Sequence, residues 1–101
     1  MLNQIVLVGR LVSKPSLEKE ESGKSVSHII LAVPRSYKNE NGEYETDFLP
    51  IILWNTIAQN TAEYCRKGDL IGIKGRVQET EGKICIVAEK VTFLSNTTKE
   101  E

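Results

Sequence analysis

Hydrophobic residues along the chain fall into five runs with the short period of strands and one stretch with the longer period of a helix. Leu2–Val12 sets Ile5, Leu7, Gly9 and Leu11 on one face and Val6, Val8 and Arg10 on the other. Both faces are partly apolar, which predicts a central strand covered on more than one side. Gly9 interrupts it and predicts a bulge or tight bend. Ser25–Val33 is a second strand carried by Val26, Ile29, Leu31 and Val33, and Asp47–Trp54 a third, dense in β-branched and aromatic residues. Asp69–Val77 alternates apolar residues with glycine or a base, and Ile84–Leu94 closes the set. Between the third and fourth strands, Ala58, Ala62 and Cys65 fall at i, i+4 and i+7, with Ile57 and Tyr64 widening the stripe. Asn55 is placed to cap this helix, Arg66 and Lys67 to occupy its last turn, and Gly68 to take the left-handed position beyond it.

The punctuation agrees with that division. Ser13–Lys24, with Pro15 and Gly23, reads as a loop. Pro34 ends the regular ladder of the second strand because it has no N–H to donate. Asn41-Gly42 predicts a hairpin protruding between strands two and three, both residues tolerating positive φ. Gln78–Lys83 is a short turn, and the residues from Ser95 to Glu101 are polar. The expectation is one domain over 1–95 with a short polar end, 96–101. It is all-β with one short helix between strands 3 and 4, in the order of a five-stranded OB-fold barrel.

Composition bounds this without redirecting it. A chain of 101 residues, 40% hydrophobic and 27% charged, supports one modest core. No apolar run reaches membrane-span length, and Met1-Leu2-Asn3-Gln4 lacks a basic, cleavable leader, so a cytoplasmic protein with no membrane contact is expected. Two cysteines, Cys65 and Cys85, without metal-ligand spacing, read as free thiols. The formal net charge of −1 argues by itself against a nucleic-acid partner. The distribution argues the other way. Acids crowd the inferred connections (Glu18-Glu20-Glu21, Glu40-Glu43-Glu45-Asp47, Glu79-Glu81), while Arg10, Arg35, Lys38, Lys74 and Arg76 lie on or beside strands.

Candidate chemistry is sparse. Gly23-Lys24-Ser25 is not a phosphate loop: the first glycine of that motif falls at Glu18, and a strand follows where a helix is needed. The Asn39–Tyr44 segment lacks the frame of a calcium loop. His28, the one histidine, has no visible catalytic partner, and no set of carboxylates suggests cleavage chemistry. Asn96-Thr97-Thr98 matches a glycosylation sequon that has no meaning without secretion. No enzyme activity, metal or cofactor is expected.

Ile5–Leu11, Leu31-Ala32-Val33 with Tyr37, Thr46-Asp47-Phe48, Leu53-Trp54, Ala62–Asp69 and Lys74-Gly75-Arg76 together resemble, in order and spacing, the DNA-binding domain of the bacterial single-stranded DNA-binding protein family. The resemblance spans nearly the whole chain. It implies an OB-fold that assembles into dimers or tetramers and holds single strands on aromatic and basic faces, in replication, recombination or repair. Tyr37, Phe48 and Trp54 match the family's stacking positions, while Tyr64 and Phe93 are expected to pack. Arg10, Arg35, Lys38, Lys67, Lys74 and Arg76 are the expected phosphate track, since long cations follow a backbone whatever the bases. Two departures temper this. The family's connection between strands four and five is usually long, aromatic and basic, whereas Glu79-Thr80-Glu81-Gly82 is short and acidic. The family's tail, Gly/Gln/Pro-rich and ending in acids and a phenylalanine, has no counterpart before the final Lys99-Glu100-Glu101, so recruitment through such a tail is not expected. Both departures suit an alternative, a relative of primosomal replication protein N that serves as an adaptor for replication or primosome proteins.

Overall fold

The computed structural model of the protein describes residues 1–95; the expected polar end and its sequon lie outside the described residues. Its elements run β1 (Ile5–Leu11), β2 (Glu18–Lys19), β3 (Ser25–Lys38), β4 (Tyr44–Trp54), α1 (Asn55–Tyr64), β5 (Leu70–Thr80) and β6 (Lys83–Ser95). The sheet order is β1-β5-β6-β4-β3-β2, and β1 also pairs with β3 at Arg10↔Ala32 and Leu11↔Leu31, which closes the barrel. All pairings are antiparallel except β4 with β6, which meet in parallel at Ile51↔Ile86 and Ile52↔Val87. The five long strands and single helix are those expected. The two-residue β2 was not: Glu18 and Lys19 pair with Val26 and Ser25, inside what reads as a loop.

Tight closure requires residues without side chains where strands cross. A Cβ at Gly9 would collide with the Ala32 carbonyl oxygen, and one at Gly75 with that of Val87. Gly75 also sits at a register shift between β5 and β6. The inward residues Leu31, Ile51, Leu53, Ile71 and Ile73 are essentially inaccessible. At about 1.5–3 kcal/mol for each fully buried aliphatic side chain, these five make a large favourable contribution to folding. Ala58, Thr61 and Cys65 of the helix segment close the barrel end over them. Gln59 Nε2 donates to Ser25 Oγ at 3.0 Å and ties the helix to β3.

The helix differs from its expected form at both ends. Its N-cap is Trp54, without a side-chain cap, and Asn55 lies inside the helix at φ 56°, a left-handed value that asparagine tolerates. It stops at Tyr64, because Cys65 turns extended and the Asp69 carboxylate accepts the Arg66 N–H at 2.8 Å. Arg66 and Lys67 therefore occupy a turn rather than the last helical turn. Gly68, at φ 89°, is left-handed within that turn, and its N–H donates to the Leu11 carbonyl at 2.8 Å. Tyr64 is exposed rather than packed in the stripe, meeting Phe93 at a ring separation of 6.4 Å on the surface.

Both hairpins are longer than expected. β3 continues through Pro34 to Lys38 and β4 starts at Tyr44, so Glu45 belongs to a strand and not to a connection, and Asp47, expected to open that strand, lies within it. The ladder does break at Pro34: regular pairing stops at Pro34↔Thr46 and resumes only at Lys38↔Tyr44. The turn is closed by Gly42 N–H to the Asn39 carbonyl at 3.0 Å, with Gly42 alone at positive φ, while Asn39 Oδ1 accepts the N–H groups of Asn41 and Glu43.

Candidate nucleic-acid interface

Register decides which side chains share a face. In β3–β4 the pairs Ser27↔Leu53, Ile29↔Ile51 and Leu31↔Leu49 point into the barrel, so Val26↔Trp54, His28↔Ile52, Ile30↔Pro50 and Ala32↔Phe48 share the outer face. Phe48 and Trp54 thus lie on one side of β4, six residues apart, with Pro50 and Ile52 between them and Ile30 and His28 alongside. Phe48 is 62% exposed, so it fills no core. Trp54 is half-buried and lines a groove of about 380 Å³ with Asn55, Thr56, Ile57, Arg76, Val87 and Ala88. An indole and a guanidinium sharing one groove can meet a base and a phosphate at once.

The outer end of the hairpin carries the remaining aromatics. Tyr37 is 64% exposed, and Lys38 Nζ stands 5.7 Å from the centroid of the Tyr44 ring. Arg35 is not an open cation. Its Nε donates to Asp47 Oδ2 at 3.1 Å and its Nη2 to Asp47 Oδ1 at 2.9 Å, while Nη1 reaches Glu45 Oε1 at 3.1 Å. The hydrogen-bonded fork pushes the Arg35 pKa up and holds the Asp47 carboxyl below the usual carboxylate range. Arg76 is engaged too, by Glu89 at 3.2 Å and Gln78 at 3.0 Å.

The other three cations lie elsewhere on the barrel. Lys74 faces outward from β5 between Val6 of β1 and Lys90 of β6. Arg10 is on the same outer face of β1, and its Nη1 donates to the Gly68 carbonyl at 3.0 Å, beside the turn that holds Lys67. The structure therefore gathers Phe48, Trp54 and Arg76 on adjoining outer surfaces and Tyr37, Lys38 and Arg35 at the hairpin end. Arg10, Lys67 and Lys74 belong to the β1–β5 side. Sequence reasoning missed Lys90, which only register places opposite Lys74, and the Pro50–Ile52 lane. Alternation in Asp47–Trp54 could have found that lane, since even positions carry both aromatics.

Burial raises the Cys65 thiol pKa, with Asp69 adding to the shift and Lys14 opposing it; Cys85 is half-exposed and donates to Thr80 Oγ1 at 3.3 Å. Among the described residues no cluster of His, Cys, Asp and Glu could hold a metal, and no helix is long and apolar enough to cross a membrane.

Comparison with known proteins places this surface in context. The family model described as "Single-strand binding protein family" matches residues 2–94. Single-stranded DNA-binding protein B of Bacillus subtilis is 50% identical over 78 residues, covering 77% of this chain and 69% of that protein. Single-stranded DNA-binding protein 2 of Listeria monocytogenes is 41% identical over 103 residues, 93% of this chain and 64% of its own length. The crystal structure of the single-stranded DNA binding protein from Thermus aquaticus superposes with a TM-score of 0.80 at 24% identity, over 95% of this chain and 52% of that one, and so shares the barrel. These relatives carry the strand-binding name, which favours that branch over the primosomal adaptor. On the match across residues 2–94 and the identities within it, the chain belongs to the single-strand binding protein family.

Proposed function

We propose that the protein binds single-stranded DNA without reading its sequence, in replication, recombination or repair. The observation that carries this is the outer face of β4, where Phe48 stands exposed and Trp54 borders a groove shared with Arg76. Exposed aromatic rings are poor solubility elements but good platforms, because every base has a π-face whatever its edge. Each stacked base contributes about 1–3 kcal/mol, so Phe48, Trp54 and Tyr37 together hold a strand in a relaxed way that tolerates any sequence. Arg76, Lys38, Arg10, Lys67 and Lys74 supply the cations for the backbone. A duplex keeps its bases stacked inside and cannot use the platforms. Nothing in this mechanism calls for bond cleavage or a cofactor.

The chain acts as a homo-oligomer in this reading. The outer face of β1 and β5 exposes Val6 and Val8 beside Leu94, and β1 residues before Arg10 pair only with β5, leaving one strand edge open. Such an edge and apolar face are normally covered. Partners beyond single-stranded DNA and further copies would be replication proteins, and a cytoplasmic setting suits all of them.

Titration with oligo-dT and with duplex of equal length, at low and high salt, tests the reading. Tight binding to the single strand, weakened by salt, with much weaker duplex binding, is expected. Equal affinity for both forms, or none for either, would refute it.

A further inference from the structure

Arg35 fits the expected phosphate track poorly. Two carboxylates face its one guanidinium, so the local balance is negative, and a phosphate would have to displace a bidentate fork to reach it. Its position in the hairpin suggests other work. Regular β3–β4 pairing stops at Pro34↔Thr46 and resumes at Lys38↔Tyr44, so Arg35, Ser36 and Tyr37 stand opposite Glu45 alone. Across that interruption the strands are joined by side chains: Arg35 to Asp47 and Glu45, and Asn39 Nδ2 to Glu45 Oε2 at 3.0 Å. Irregular strand segments re-aim side chains, and the one aromatic in this segment is Tyr37.

We propose that Arg35 is a positioning residue: by clamping β3 to β4 through Asp47 and Glu45 it fixes the irregular segment that presents Tyr37 to a base. The proposal rests on the strand-binding reading and assigns Arg35 a geometric role within it. Isolated surface ion pairs stabilise little, but a bidentate pair extended by a second carboxylate holds a defined geometry. Lysine offers the charge without the planar fork, which separates geometry from charge.

The test is oligo-dT titration across a range of salt for the full chain and for Arg35→Lys, Arg35→Gln and Asp47→Asn, each alone and combined with Tyr37→Ala. Tyr37→Ala alone should weaken binding about fivefold or more. The three clamp variants should each weaken it, by no more than Tyr37→Ala does, with the salt slope of Arg35→Gln unchanged. None should cause a further loss once Tyr37 is alanine. Wild-type affinity in Arg35→Lys together with a slope shallower by about 0.7 in Arg35→Gln would make Arg35 a phosphate ligand and overturn the proposal. So would tighter binding in Asp47→Asn, full additivity with Tyr37→Ala, or no effect of any clamp variant. Failure of the wild-type chain to bind oligo-dT removes the strand-binding reading itself, and shows before any variant is made.

Discussion

Two outer surfaces of the same barrel expose apolar side chains to a similar extent, yet their chemistry differs. On β4, Phe48 is 62% exposed and is followed along the face by Pro50, Ile52 and Trp54. On β1, Val6 is 66% and Val8 49% exposed, facing Lys74 and Gly72 of β5. Flat rings spaced along a strand match the faces of unstacked bases, whereas branched methyl groups match the irregular relief of another protein surface. Apolar exposure by itself therefore does not identify a nucleic-acid site. The shape of the exposed group does, together with whether a guanidinium or a strand edge lies next to it.

The sharpest way to break that contrast is to place a charge on the aliphatic face. Val8→Glu puts a carboxylate opposite Gly72, with no cation directly across from it, where a second copy is expected to pack, at a cost of several kcal/mol. Light scattering should show the mass fall from an oligomer to a monomer, while oligo-dT affinity per site is kept. A monomeric wild-type protein at micromolar concentration would sink the oligomer reading. Next in size is Trp54→Ala, which should weaken oligo-dT binding by about 1–3 kcal/mol without changing the mass. Unchanged affinity there would take Trp54 out of the site.

Lys74 sits at the border of the two surfaces, two residues before Arg76 on the same face of β5. Lys74→Gln should flatten the salt dependence by about 0.7 of a logarithmic unit per decade, the share of one phosphate on a single strand. A changed mass with an unchanged slope would assign Lys74 to the protein contact instead. The smallest effect belongs to the hairpin clamp. The Asp47 pKa is lowered by the Arg35 fork, so its stabilisation is fully present above the ordinary value of 3.8 and is lost as pH falls through the lower folded value. Urea midpoints of wild type and Asp47→Asn should differ by a constant amount from neutral pH down to about 4 and converge only below it. Convergence between pH 7 and 5 would mean that another group carries the effect.

Much of this was legible in the residues, and the limits have physical reasons. Strand and helix periods revealed five strands, one helix and their order, because short apolar runs between turn residues have the length of strands, and Gly9 signalled a bend in the first of them. Phe48 and Trp54 were both legible as stacking positions through the family resemblance, but not as sharing one face. Which face turned outward depended on β3–β4 register, a long-range property that no local pattern carries. The helix end was misplaced because Arg66-Lys67-Gly68 makes a plausible local stop, while the true stop comes from the Asp69 side chain and from Gly68 bonding to Leu11 of β1. Arg35 looked like an available cation for the same reason: no local pattern told that Glu45, read as an acid in a connection, and Asp47, at the expected start of a strand, would be set beside it by β3–β4 pairing. Pro34 signalled that the ladder would break, but not what would bridge the gap.

A bound single strand is expected to lie on the aromatic surface rather than the aliphatic one. Trp54 is the one tryptophan of the chain, so its fluorescence reports from that surface alone. Titration of the wild-type protein with oligo-dT should quench this emission to saturation, with the quench reversed by salt in step with dissociation. Binding visible by gel mobility shift while the Trp54 emission stays unchanged would put the strand on another face and contradict the account.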